Sequence, residues 1–87
     1  MKVQRSSREY LKGLGHRIKI IRAALGYDQR QMAQLLETAQ SQVSKIEAGT
    51  TSPSIYQLFK LKKAAEKMEG LKSASSWTWI MEGKESE

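Results

Sequence analysis

The residues from Gln29 to Ala48 constrain this chain more than any others. Apolar side chains recur at Met32, Ala33 and Leu36 and again at Val43 and Ile46, with the polar Glu37 and Thr38 between the two sets. Each set lies on one face of a helix, so the stretch predicts two short helices joined by a tight turn and crossing at a steep angle. Ala33 falls where the second helix passes close to the backbone of the first and a small side chain is needed. Met32, Leu36, Val43 and Ile46 then point into a shared core.

What remains on the outer side of the second helix is Gln40, Ser41, Ser44, Lys45 and Ala48, at the i, i+1, i+4, i+5, i+8 spacing of one face. The face is short, polar and nearly uncharged. It has the chemistry of a major-groove reader: a Gln amide bonds an adenine edge twice, Ser donates or accepts, and Lys reaches guanine acceptors or a phosphate. An ordinary solvated face of a helical hairpin has the same composition, and the face alone does not choose between the two readings.

The charge of the whole chain shifts the balance. Fifteen Lys and Arg against nine Asp and Glu give a formal charge of +6, which favours a polyanionic partner, nucleic acid ahead of a membrane. The charge is also uneven. Residues 1–24 carry Lys2, Arg5, Arg8, Lys12, Arg17, Lys19 and Arg22 against Glu9 alone, whereas residues 71–87 carry Lys72 and Lys84 against Glu82, Glu85 and Glu87. The basic end should face DNA and the acidic tail should not.

Other classes find little to build on. The 87 residues, 39% apolar, suffice for one small domain with one modest core. No run approaches the roughly 18 apolar residues of a spanning helix, and the amino end lacks the apolar core of a signal peptide, so a cytoplasmic location is expected. With no cysteine and a single histidine, His16, neither a thiolate site nor a zinc site can be assembled; His16 reads as an exposed helix residue. No phosphate-binding glycine loop and no nucleophile with a base is present. Neither an enzyme nor a cofactor, metal or small-molecule ligand is expected.

Taken in order, residues 1–13 form a basic arm, partly disordered or a short helix, with Ser6-x-x-Glu9 as a capping box. Gly13 and Gly15 argue against a continuous helix there. The arm is open to two readings, a frayed terminus or a contact to phosphate or a minor groove. Leu14, Ile18, Ile21 and Leu25 then mark an amphipathic helix ended by Gly26, and Asp28 caps the next helix from Gln29. Glu37 stands where positive φ usually calls for glycine, and Ala39 where a capping hydroxyl is usual, each at about 1 kcal/mol; Thr38 is the candidate to replace part of that cap.

After Gly49, Ser52 and Pro53 read as N-cap and first residue of a further helix. It directs Ile55, Leu58, Phe59, Leu61, Ala65 and Met68 inward and Lys60, Lys62, Lys63 and Lys67 outward, as a solvated face or a phosphate contact. A linker at 69–75 leads to a short capped helix, Ser76 to Gly83, whose Trp77, Trp79 and Ile80 close the core or in part form a dimer patch. Residues 84–87 are expected to be a disordered tail and residues 14–83 the domain.

At this point the chain resembles the phage Cro and repressor type of helix-turn-helix domain, the XRE-like or lambda-repressor-like family. The resemblance rests on Leu14-Gly15-x-Arg17-Ile18-Lys19-x-x-Arg22, Gly26-Tyr27-x-Gln29-x-x-Met32-Ala33, Gln40-Ser41-x-Val43-Ser44-Lys45-Ile46-Glu47-x-Gly49, Pro53-Ser54 and Trp79-Ile80-Met81-x-Gly83. Any one segment is weak; five in this order are specific. The resemblance implies an all-α, five-helix domain whose third helix, about residues 40–48, enters the major groove. It implies that Gln29 bonds a phosphate and braces Gln40, that Gln40 reads adenine, and that Ser41, Ser44 and Lys45 meet neighbouring base edges. Ala39 and residues 50–54, Thr50 and Ser52 among them, would lie along the DNA backbone. Arg22 and Glu47 would pair and lock the third helix.

The resemblance therefore implies a sequence-specific regulator of transcription, most simply a repressor that occupies a double-stranded operator as a homodimer. A single module buries roughly 600–1,000 Å² on DNA, which favours pairing on a two-fold site. A second expectation comes from another class: an antitoxin-like module that binds a toxin-like protein partner as well as operator DNA, suggested by the 69–75 linker and the apolar closing helix.

Overall fold

The computed structural model describes residues 7–68 and 76–84, and among them every regular element is an α-helix. The five are α1 (Ser7–Leu25), α2 (Gln29–Leu36), α3 (Gln40–Ala48), α4 (Ile55–Glu66) and α5 (Trp77–Glu82). The all-α, five-helix architecture is the one the resemblance implies. Residues 1–6, with Ser6 of the capping box, the 69–75 linker and residues 85–87 of the tail lie outside the described residues.

Every helix contributes to one core, in which Ile18 and Ile21 of α1, Met32 of α2, Val43 of α3, Leu61 of α4 and Ile80 of α5 are buried almost completely. Burying a side chain of this size contributes roughly 1.5–3 kcal/mol, so six of them outweigh any single cap or ion pair. The apolar spacing 14, 18, 21 in α1 and 32, 33, 36 in α2 is what aims these side chains inward.

The first helix corrects one expectation. Over the described residues it runs unbroken from Ser7 through Gly13 and Gly15 to Leu25. Gly15 is buried where α1 crosses the end of α3, and a Cβ there would stand 2.7 Å from the Glu47 carbonyl oxygen and closer still to that of Ile46. A glycine inside a helix costs about 0.5–1 kcal/mol; here it permits a backbone approach that any side chain would block. The glycine marks a contact rather than a break.

The start of α4 is a second correction. Ser54, not Ser52, is the N-cap: its hydroxyl accepts the Gln57 N–H at 3.0 Å while the Gln57 side chain accepts the Ser54 N–H at 2.9 Å. A capping box needs Glu or Gln three residues after the cap, which Ser54 has and Ser52 does not. The inward stripe of α4 is narrower than its apolar content suggests. Leu58, Leu61 and Ala65 are buried, while Ile55, Phe59 and Met68 are exposed. Ile55 and Met68 overrun the core at the two ends of the stripe, and Phe59 lies beside it.

The last helix has the expected caps, Ser76 accepting the Trp79 N–H at 3.1 Å and Gly83 in the left-handed region. Its attachment to α1 was not foreseen. Tyr10 donates its hydroxyl to the Met81 carbonyl at 2.8 Å, and Arg17 donates Nε to the Ile80 carbonyl at 2.8 Å and Nη2 to that of Met81 at 3.2 Å. These bonds occupy carbonyls that a helix end otherwise leaves without partners.

Candidate nucleic-acid interface

The candidate interface is built from α2, the turn after it, and α3. Asp28 opens α2 with a complete capping box, accepting the Gln31 N–H at 2.8 Å while the Gln31 side chain accepts the Asp28 N–H at 2.9 Å. This fixes the first turn and therefore the position of Gln29. Glu37 ends α2 with φ 57° and ψ 49°, the left-handed conformation expected at that site. Its carboxylate faces α4, accepting the Tyr56 hydroxyl at 3.0 Å with Lys60 Nζ at 3.6 Å. The negative charge that the turn brings is thus partly neutralised locally. No side chain caps α3 at Ala39, so the cap expected of Thr38 is not made.

In α3, Val43 and Ile46 are buried while Gln40, Ser41, Ser44, Lys45 and Ala48 are all exposed along the opposite side. The helix is seated through Glu47, whose side chain is only 5% exposed. Arg22 of α1 grips it at both oxygens, Nε to Oε2 at 2.6 Å and Nη2 to Oε1 at 3.2 Å, and donates Nη1 to the Tyr27 carbonyl at 3.0 Å. Such a fork is the strong form of the carboxylate pair. Gln29 joins it, donating Nε2 to Glu47 Oε1 at 3.1 Å. The brace of Gln29 therefore goes to Glu47, where the resemblance implied Gln40. An amide nitrogen carries two N–H groups, so one remains for a partner outside the protein.

Gly49 takes the left-handed stop of α3, and Thr50 completes it, donating both its N–H, at 3.0 Å, and its hydroxyl, at 3.1 Å, to the Lys45 carbonyl. Ser52 is exposed, with its hydroxyl turned onto the Pro53 carbonyl at 3.1 Å. The Glu66 carboxyl of α4 is held below its usual range, chiefly by a hydrogen bond from Lys62 one turn earlier; it is not part of the α3 face.

The three residues expected as a dimer patch are divided. Ile80 is buried in the core and unavailable to a partner, because it is the one fully buried residue of the short α5. Trp79 is partly buried against the core, and Trp77 is 43% exposed with Lys62 Nζ 5.5 Å from its ring centroid. His16 is exposed on α1, as expected. Sequence reasoning overlooked the close approach at Gly15 and the Tyr56 contact to Glu37. A glycine within a periodic apolar pattern was the available signal for the first; nothing local signals the second.

Two short helices at a tight left-handed turn, the second seated by a buried ion pair and presenting an open polar face, define a helix-turn-helix DNA-binding module. A family model described as helix-turn-helix matches residues 18–66, and the chain belongs to this family, the XRE-like type of the phage Cro and repressor proteins. No curated protein matches the chain. No helix among the described residues is long and apolar enough to cross a membrane.

Proposed function

We propose that this protein is a sequence-specific regulator of transcription that binds a double-stranded operator as a homodimer in the cytoplasm and represses by occupying it. The observation that carries this reading is the division of α3, with Val43 and Ile46 buried and Gln40, Ser41, Ser44 and Lys45 exposed on a helix fixed in place by Arg22, Gln29 and Glu47. In the reading, Gln40 bonds an adenine edge, Lys45 a guanine edge or phosphate, and Ser41 and Ser44 the bases between. The second N–H of Gln29 meets a phosphate, and Ala39, Thr50 and Ser52 border the DNA backbone. The alternative toxin-like partner has less support, since Ile80 belongs to the core.

The test is selection of bound DNA from random duplexes at fixed salt, with the natural chain, Gln40→Ala and Lys45→Ala. The expected motif has two-fold symmetry with half-sites about 34 Å apart. Each variant relaxes it at particular positions, at about 1–3 kcal/mol for a lost bidentate contact. No motif, or one that both variants leave unchanged, would sink the reading.

A further inference from the structure

We infer that the cleft between the first turns of α1 and the C-terminal end of α3 seats phosphates of the DNA backbone, so that α1 carries the contact with DNA past the helix pair. The inference rests on the reading above and extends it. The family match begins at Ile18, whereas α1 begins at Ser7, so the helix runs well upstream of the matched segment.

This upstream part is pressed onto the end of α3. A Cβ added to Gly49 would stand 2.6 Å from the Lys12 Cα. Beside that contact lies a cleft of about 370 Å³, with Arg8, Leu11 and Lys12 on one wall and Ala48, Gly49 and Thr50 on the other. Arg8 and Lys12 are exposed and one helical turn apart, which puts both cations on the same side. Among the described residues no carboxylate lines the cleft.

The opposite wall offers little to an anion, because the Thr50 N–H and hydroxyl are already donated to the Lys45 carbonyl. Attraction must therefore come from the two α1 cations, which are long enough to reach a group in the cleft mouth. Ala48 decides which anion it is. It ends the exposed side of α3 that begins at Gln40, so the cleft continues the face read as base-contacting, and what passes from that face across Ala48 is the sugar-phosphate chain of the same duplex.

The test measures log K against log salt on a random-sequence 30-base-pair duplex and on the selected operator. It compares the natural chain, the Arg8→Gln, Lys12→Gln double variant, and a Lys63→Gln, Lys67→Gln variant with the same change of charge. Thermal melts verify that each is folded. The cleft variant is expected to reduce the slope by at least about 1 on both duplexes and to leave the selected motif unchanged, while the α4 control changes the slope by clearly less. An unchanged slope, or an equal drop in the control, would overturn the proposal. So would saturable binding of inorganic phosphate at Arg8 and Lys12 with no change of slope, which would make the cleft a small-anion site. Because the random duplex reports on the cleft without any operator, its failure and failure of the operator reading are separable.

Discussion

Glu47 joins three helices through one carboxylate, α3 that carries it, α1 through Arg22 and α2 through Gln29. It is nearly buried and accepts from Arg22 twice and from Gln29 once. Removing one partner of a buried pair leaves the other uncompensated, at about 3–5 kcal/mol. Glu47→Ala is therefore expected to lower the melting temperature by more than about 12 °C, at roughly 4 °C or more per kcal/mol in a domain of this size, with loss of folding before any change of sequence preference. A variant that melts with the natural chain would contradict this. Two residues of the turn between α2 and α3 make the opposite case. Glu37 holds a left-handed backbone that glycine adopts without cost, and Ala39 leaves α3 without a side-chain cap. Ala39→Ser is expected to stabilise by about 1 kcal/mol. Glu37→Gly should gain about 0.5 kcal/mol, relief of about 1 kcal/mol exceeding the exposed Tyr56 and Lys60 contacts. Denaturant midpoints of both variants check these signs.

At the scale of the helix, α1 contains a controlled comparison. Gly13 and Gly15 lie two residues apart in one helix, and alanine is the better helix former at either by roughly 1 kcal/mol. Beyond propensity they differ. A Cβ at Gly13 meets only the Arg17 Nη1 atom, at 3.2 Å, a side-chain end that carries neither of the bonds to α5, whereas at Gly15 it meets backbone of α3. Gly13→Ala is expected to stabilise by about 0.5 kcal/mol. Gly15→Ala should destabilise by about 2 kcal/mol or more, because forcing α1 from α3 loosens packing as overfilling a core does. Equal effects of the two substitutions, measured by urea denaturation, would show that the crossing is not close.

Across the whole molecule, the legible parts were those whose signal is local. The 32, 33, 36 and 43, 46 spacing located α2 and α3, Asp28 and Gly26 marked the ends between α1 and α2, and Glu37 stood at the left-handed turn where the structure has it. The resemblance brought together Arg22 and Glu47, which no spacing argument joins. What was misread depends on tertiary contact. Gly15 looks like a helix breaker until α3 is laid across it, Ile80 is open between core and dimer patch until α5 is docked, and Ile55 and Phe59 look like core until the width of the α4 contact is known. Even the partner chosen by Gln29 follows from how near Glu47 lies rather than from any motif.

The bonds from Tyr10 and Arg17 to the end of α5 have a further consequence, for the order in which the structure comes apart. A helix of six residues is far too short to persist alone, and α5 depends on Ile80 and on those bonds to partners 63–71 residues earlier in sequence. Its opening is therefore a local event, lower in free energy than global unfolding and separate from the α1, α2 and α3 unit. Since the same stretch of α1 borders the end of α3, whatever grips α1 there also steadies the helix at the other end of the chain. Closing of α5 and the hold on α1 are thus coupled.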